Sequence, residues 1–217
     1  MITCPVCKDD VELAGDRIGL HGDCPGGVAF TALADTDQEA RYTPPSQDCP
    51  HPERWHSKDW DSAETEVTDL VAAFVKALRP DVVVETGTAF AQTAEAVGWV
   101  LRQAGVGHLH TIEIDPERVA AARTVCKGLP VTVHETSSLD YDPPDGIGFA
   151  WFDSLFDLRV PEFRRYYPKM APHAIVGFHD TAPHFPVWPQ IEQLEAEGLL
   201  LPIRLATPRG VVFGEVV

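Results

Sequence analysis

Two rhythms of apolar and polar positions run along this chain. Between residues 61 and 80, Val67, Leu70, Val71, Phe74, Val75 and Leu78 recur at helical spacing and form one apolar face. Asp61 or Ser62 stands where an N-cap belongs, Glu64 and Glu66 fall in the first turn, and Pro80 ends the helix. Short apolar runs then alternate with helical patterns. They predict strand 82–86, helix 90–104, strand 108–114, helix 116–127, strands 130–134 and 147–152, helix 160–170, strand 173–178 and helix 188–197. Two final strand-like segments, 199–205 and 210–216, join around Thr207-Pro208-Arg209-Gly210 and read as a hairpin. Alternating β and α elements predict an α/β fold: a doubly wound, mostly parallel sheet of seven strands covered on both faces, with the antiparallel hairpin at its end. There is no internal repeat or low-complexity tract.

The pattern is absent from the first 60 residues, which divide in two. Residues 1–30 hold Cys4-Pro5-Val6-Cys7 and His21-Gly22-Asp23-Cys24-Pro25-Gly26-Gly27. Each half reads as a tight turn carrying two ligands, the construction of a zinc ribbon, with Cys4, Cys7, His21 and Cys24 closing a tetrahedral structural Zn²⁺ site. A segment this short buries too little core to fold alone, and a structural metal would supply the missing stability. Cys49 or His51 is the alternative to His21. Residues 31–60 are polar and rich in proline and tryptophan, and read as a linker or lid preceding the main domain at 61–217.

Composition narrows the function classes. The 217 residues suit one α/β domain with a small appendage. With 33 acidic against 17 basic residues, the net charge of −16 disfavours nucleic acid as a partner, since phosphate binders concentrate Lys and Arg. No apolar run approaches the roughly 20 residues of a membrane span, and Met1-Ile2-Thr3-Cys4-Pro5 does not open a signal peptide. The expectation is a soluble cytoplasmic protein. Four of the five cysteines lie in the first 49 residues, a clustering that favours metal over disulfides; Cys126 falls in a helical pattern as a small buried residue.

The chemistry concentrates where strands end. Val82-Val83-Val84-Glu85-Thr86-Gly87-Thr88-Ala89-Phe90 is a buried strand running into a glycine turn, and Thr111-Ile112-Glu113-Ile114-Asp115 ends the next strand in a carboxylate. In an α/β sheet this puts a ribose-bearing cofactor at the C-terminal ends of neighbouring strands. A dinucleotide fingerprint would need glycines at 87, 89 and 92, and only the first is present. Glu85-Thr86-Gly87-Thr88-Ala89 instead resembles the first motif of class I S-adenosylmethionine (SAM)-dependent methyltransferases, with Ala89 in place of the last glycine. The resemblance covers about residues 60–217 and is nearest to the catechol and caffeoyl-CoA O-methyltransferase-like group. It implies the Rossmann-like methyltransferase sheet. It also implies that Glu85, Thr86, Gly87, Thr88 and Ala89 face the methionine part of SAM, that Glu113 takes the ribose hydroxyls, and that Ser137 and Ser138 lie by the adenine.

Two more motifs point the same way. Phe149-Ala150-Trp151-Phe152-Asp153-Ser154 and Ile175-Val176-Gly177-Phe178-His179-Asp180-Thr181 are buried strands ending in ionisable residues. As neighbours they would bring Asp153, His179 and Asp180 together at the cofactor edge. Metal-dependent members of the resembled group hold a divalent cation there, which lowers the pKa of the acceptor hydroxyl. Here His179 stands where those enzymes have a carboxylate, and Phe156 where they have a catalytic lysine. Three readings stay open for the set: a weak Mg²⁺ or other divalent site, His179 as metal-free general base, or a structural contact between His179 and Asp153. His56, Lys58, Trp55, Trp60, His184 and Trp188 are further candidates for the acceptor wall. The expected reaction is methyl transfer to a hydroxyl of a small molecule or sugar. The alternative is a SAM-binding or degenerate member whose zinc module docks a protein. Acceptor and oligomeric state are not encoded in these motifs.

Overall fold

A computed structural model describes residues 45–59 and 61–217. Of the first 44 residues it describes only the backbone of four two-residue strands: Ile2–Thr3 pairs antiparallel with Asp10–Val11, and Leu13–Ala14 with Arg17–Ile18. Cys4, Cys7, His21 and Cys24, and with them the zinc expectation, lie outside the described residues, as does Trp60. The chain divides into two compact units, 1–39 and 40–217.

The larger unit is built on one sheet of seven strands: β1 (Val82–Thr86), β2 (His108–Glu113), β3 (Val131–Glu135), β4 (Ile147–Phe152), β5 (Met170–His179), β6 (Leu200–Leu205) and β7 (Val211–Val216). Its spatial order is β6-β7-β5-β4-β1-β2-β3. The pairs β1–β2, β1–β4, β2–β3 and β4–β5 are parallel; β7 runs antiparallel to both β5 and β6. The order reverses direction beside β1, so the C-terminal ends of β1, β2 and β4 flank a topological switch point, where ligands of open α/β sheets bind.

Helices α1 (Thr65–Leu78), α2 (Gln92–Ala104) and α3 (Pro116–Val125) cover one face of this sheet, and α4 (Arg159–Tyr166) and α5 (Trp188–Ala196) the other. Alternation within strands splits the core accordingly. Val83, Leu109, Val133 and Phe149 join the first cluster, while Val84, Ile112, Ala150 and Phe152 join the second. The connection from β3 to β4, residues 136–146, carries no helix.

Two boundaries differ from the sequence expectation, each for a local reason. The first helix starts at Thr65, not at Asp61 or Ser62, because the Asp59 carboxylate accepts from the N–H groups of both residues and holds them in a turn. Ser57 and Glu64 then form an antiparallel bridge, and Thr65 N donates to the His56 carbonyl. The helix expected over 160–170 stops at Tyr166 and tightens into a 3₁₀ turn at Tyr167–Lys169, since Pro168 has no N–H to continue the ladder. Strand β5 therefore opens at Met170, with an irregularity before Ile175 and a left-handed His173 (φ 62°).

Candidate active site

Four strands deliver polar side chains to one edge of the sheet. Glu85 precedes the last residue of β1 and is 3% exposed. Burial drives its pKa up to about 8, against the pull of the Thr111 hydroxyl, which donates to it at 2.5 Å; Asp153 and Glu113 add to the rise. After β1 the chain turns through Gly87 (φ 82°), where an added Cβ would overlap the Asp153 carbonyl, so only glycine lets the ends of β1 and β4 approach. Ala89 (φ 45°) and Ala91 (φ 65°) are also left-handed, a strained run leading into α2. Glu113, ending β2, accepts from Ala89 N at 2.9 Å through Oε2 and from Ile114 N (2.9 Å) and Asp115 N (3.0 Å) through Oε1. A carboxylate has roughly four lone-pair positions, so Glu113 keeps room for a further donor.

The ends of β4 and β5 build a denser network. The His179 ring, fully buried, faces Asp153 Oδ1 with Nδ1 (3.1 Å) and Glu64 Oε2 with Nε2 (2.7 Å). Burial alone would lower its pKa, but Asp153, Asp180 and Glu64 outweigh burial and raise it well above 6.5. His179 is therefore an imidazolium with both N–H groups committed. Arg159, on the first turn of α4 and 2% exposed, donates through Nη2 to Asp153 (3.0 Å) and Asp180 (2.8 Å), through Nη1 to the His179 carbonyl and through Nε to the Ser154 carbonyl (2.9 Å). Arg209, from the β6–β7 turn, pairs with both oxygens of Asp180, while its backbone N donates to Glu64 Oε1 at 3.0 Å. Three acids, Glu64, Asp153 and Asp180, thus face three cations, His179, Arg159 and Arg209. Among them, Asp153 and Arg209 retain partial exposure, with side chains 13% exposed each.

A further buried carboxylate ties the same strand ends together. Glu162, on α4 and fully buried, accepts from Thr86 Oγ1 (2.7 Å), Ser154 Oγ (2.7 Å) and Ser138 Oγ. The hydroxyls of Thr86 and Ser138 therefore point at Glu162, and Ser137 Oγ accepts from Leu139 N at 3.2 Å. Thr88 Oγ1 sits 2.5 Å from the Thr111 hydroxyl. Among the outlying candidates, His56 is exposed and pairs with Glu66 (2.7 Å), and Lys58 is exposed. Trp55 is half-buried, the His184 ring lies tilted beside Phe185, and Trp188 lies under the Arg204 guanidinium. Cys49 is buried, and His51 is exposed beside Glu53.

Asp153, His179 and Asp180 do converge, with candidate ligand atoms within 4.8 Å of one another. As arranged, however, the set does not fit a divalent cation: the His179 nitrogens hold carboxylates, and guanidinium groups already neutralise Asp153 and Asp180. Sequence reasoning missed Arg159, Arg209, Glu64 and Glu162 as parts of this edge. The one available signal was that buried acids need cations, and Arg159 is the basic residue nearest in sequence to Asp153. Around the network the sheet edge carries exposed apolar side chains. Ile114 is 70% exposed directly after buried Glu113, Leu155 follows Asp153 by two residues at 68%, and Phe90 ends the β1 turn at 44%. Apolar side chains beside buried, hydrogen-bonding carboxylates suit a ligand with both a flat and a hydroxylated part.

Comparison with known proteins agrees with this geometry at the level of fold. No family model matches the sequence, and no curated protein matches it. Among solved structures, an O-methyltransferase from Bacillus cereus in complex with S-adenosylhomocysteine (SAH) is similar with a TM-score of 0.61 at 14% identity, over 73% of this chain and 84% of that one. The O-methyltransferase TomG from Streptomyces achromogenes, involved in tomaymycin synthesis and in complex with SAM, is similar with a TM-score of 0.60 at 15% identity, over 72% and 82%. An SAH-bound Podospora anserina methyltransferase gives 0.60 at 14%, over 72% and 80%. At these identities the likeness is one of fold: the chain shares the α/β fold of these structures.

Proposed function

We propose that this chain is a SAM-dependent methyltransferase that transfers a methyl group to a hydroxyl of a small molecule or sugar, with no divalent cation at the Asp153–His179–Asp180 edge. The observation that carries the reading is the pair of buried carboxylates, Glu85 and Glu113, ending neighbouring parallel strands around the Gly87 turn at the sheet's switch point. The similar fold of SAM- and SAH-bound structures supports it. Glu113 would take one ribose hydroxyl on its remaining lone pair, Ile114 would pack against the adenine, and Glu85 with the backbone of 87–89 would face the cationic methionine end. Bound SAM would supply an electrophilic methyl group on a sulfonium.

On the acceptor side, the chain's work is orientation and proton acceptance. The Asp153 carboxylate makes its two described side-chain contacts, to His179 and Arg159, through Oδ1. Oδ2 is the atom we assign to take the acceptor's proton. His179 is a positioning residue: with both nitrogens bound to carboxylates it has no lone pair to act as base. The saturation of this network also favours a second reading, a SAM-binding protein that no longer turns over.

Isothermal titration with SAM and SAH, wild type against Glu113→Ala, tests the cofactor site. Losing hydrogen bonds to a charged group, each about 1.5–3 kcal/mol, should weaken binding roughly 10–100-fold or more. Folded wild-type protein that binds neither ligand would overturn the reading. SAH formation against a panel of catechols and sugars then separates an enzyme from a binding protein that has lost turnover.

A further inference from the structure

Away from the strand ends, β2 and β3 present a group of histidines on the face that α4 and α5 cover elsewhere. His108 and His110 share that face with Ile112, and Thr132 and His134 lie opposite Val133. No helix follows β3, and the 136–146 connection instead lays Tyr141 over the two strands. His110 Nδ1 lies 3.1 Å from His134 Nε2, and the Tyr141 hydroxyl lies 3.2 Å from the first and 3.1 Å from the second. Tyr141 is held in place by its backbone: its N–H donates to the Ser137 carbonyl, and its own carbonyl accepts from Arg165 Nε at 3.2 Å.

These three atoms form a nearly equilateral triangle in which at most two edges can be separate hydrogen bonds. An imidazole nitrogen carries either a proton or a lone pair, never both, and the phenol has a single proton. No distribution of protons makes all three edges separate hydrogen bonds. One cation facing three lone pairs does satisfy the triangle. Zinc sits about 2.0–2.1 Å from imidazole nitrogens, which places tetrahedral ligand atoms about 3.3 Å apart, close to the observed separations.

We infer that His110, His134 and Tyr141 form a binding site for a borderline divalent transition metal such as Zn²⁺, with its fourth position open to water. Two imidazoles and a phenol oxygen select such an ion over Mg²⁺ or Ca²⁺, which require oxygen shells. The site would clamp the corner of the sheet that the missing β3–β4 helix leaves uncovered.

The test is a Zn²⁺ titration of EDTA-treated full-length protein, in wild type and in a Cys4→Ser/Cys7→Ser background that disables the N-terminal cysteines. Bound zinc should persist in that background, raise the melting temperature, and fall by one ion per chain in His110→Ala and in His134→Ala. Tyr141→Phe removes a ligand atom and should weaken it by more than the roughly 10–100-fold of losing an outer-shell partner. Co²⁺ gives a check that needs no cysteine substitution: its visible bands from this site should lack thiolate charge transfer and disappear in His134→Ala. Equal zinc stoichiometry and affinity in wild type and both histidine variants would overturn the inference, as would a Co²⁺ spectrum carried by thiolates alone.

Discussion

At the scale of single residues, the most consequential choice is to bury Glu85 without a cation beside it. Its folded pKa of about 8 exceeds the ordinary 4.5, so the folded state holds the proton more tightly than the unfolded chain. Its contribution to stability is therefore fully present below pH 4.5 and is lost as pH rises to about 8. Glu85→Gln should remove that slope: thermal melts between pH 5 and 8 should show wild type losing stability relative to the variant as pH increases, and a constant difference would contradict the assignment. A cationic ligand at the same place would favour ionised Glu85, so SAM binding should release a proton near neutral pH in wild type and not in Glu85→Gln. His179 shows the opposite solution, since three acids surround it and keep it charged. The sequence shows both residues plainly as polar ends of apolar strands. It does not show which ionisable group receives a partner, because those partners come from residues 64, 159 and 209.

At the scale of elements, the boundaries readable from sequence are those with local chemistry. Asp115 caps α3 by accepting from Glu117 N (2.9 Å) and Arg118 N (3.0 Å), with Pro116 at the first helical position. Gly105, left-handed at φ 65°, closes α2. The start of α1 departs from the sequence pattern because Glu64 looks like a first-turn acid, whereas its side chain leaves the helix for His179 and Arg209. Helix α4 matters less for its length than for Glu162, which gathers hydroxyls from β1, the loop after β3 and the loop after β4. Glu162→Gln would replace an acceptor-only group by an amide whose NH₂ faces hydroxyl donors. The expected cost is about 2–3 kcal/mol, or roughly 5–10 °C in melting temperature for a chain of this size. An unchanged melting temperature would show that Glu162 does not fasten the strand ends.

At the scale of the whole molecule, a net charge of −16 coexists with an interior edge where acids and cations balance. A charge this negative is in keeping with a small-molecule rather than a polyanionic partner. Among the described residues no helix is long and apolar enough to cross a membrane. If guanidinium groups supply the positive charge at the acceptor edge, chelation should leave SAM binding and any methyl transfer unchanged, and added Mg²⁺ should not raise them. Activity abolished by EDTA and restored by Mg²⁺ would refute this. The α/β class, the seven strands of the sheet, the closing hairpin and the ionisable strand ends are all legible along the chain, because periodicity and caps are written in neighbouring residues. Folding alone brings Arg159 and Arg209 to Asp153 and Asp180, Glu64 to His179, and His110 to His134 and Tyr141. Those contacts join residues far apart in sequence, and their pairing follows from strand order and register, which no local pattern records.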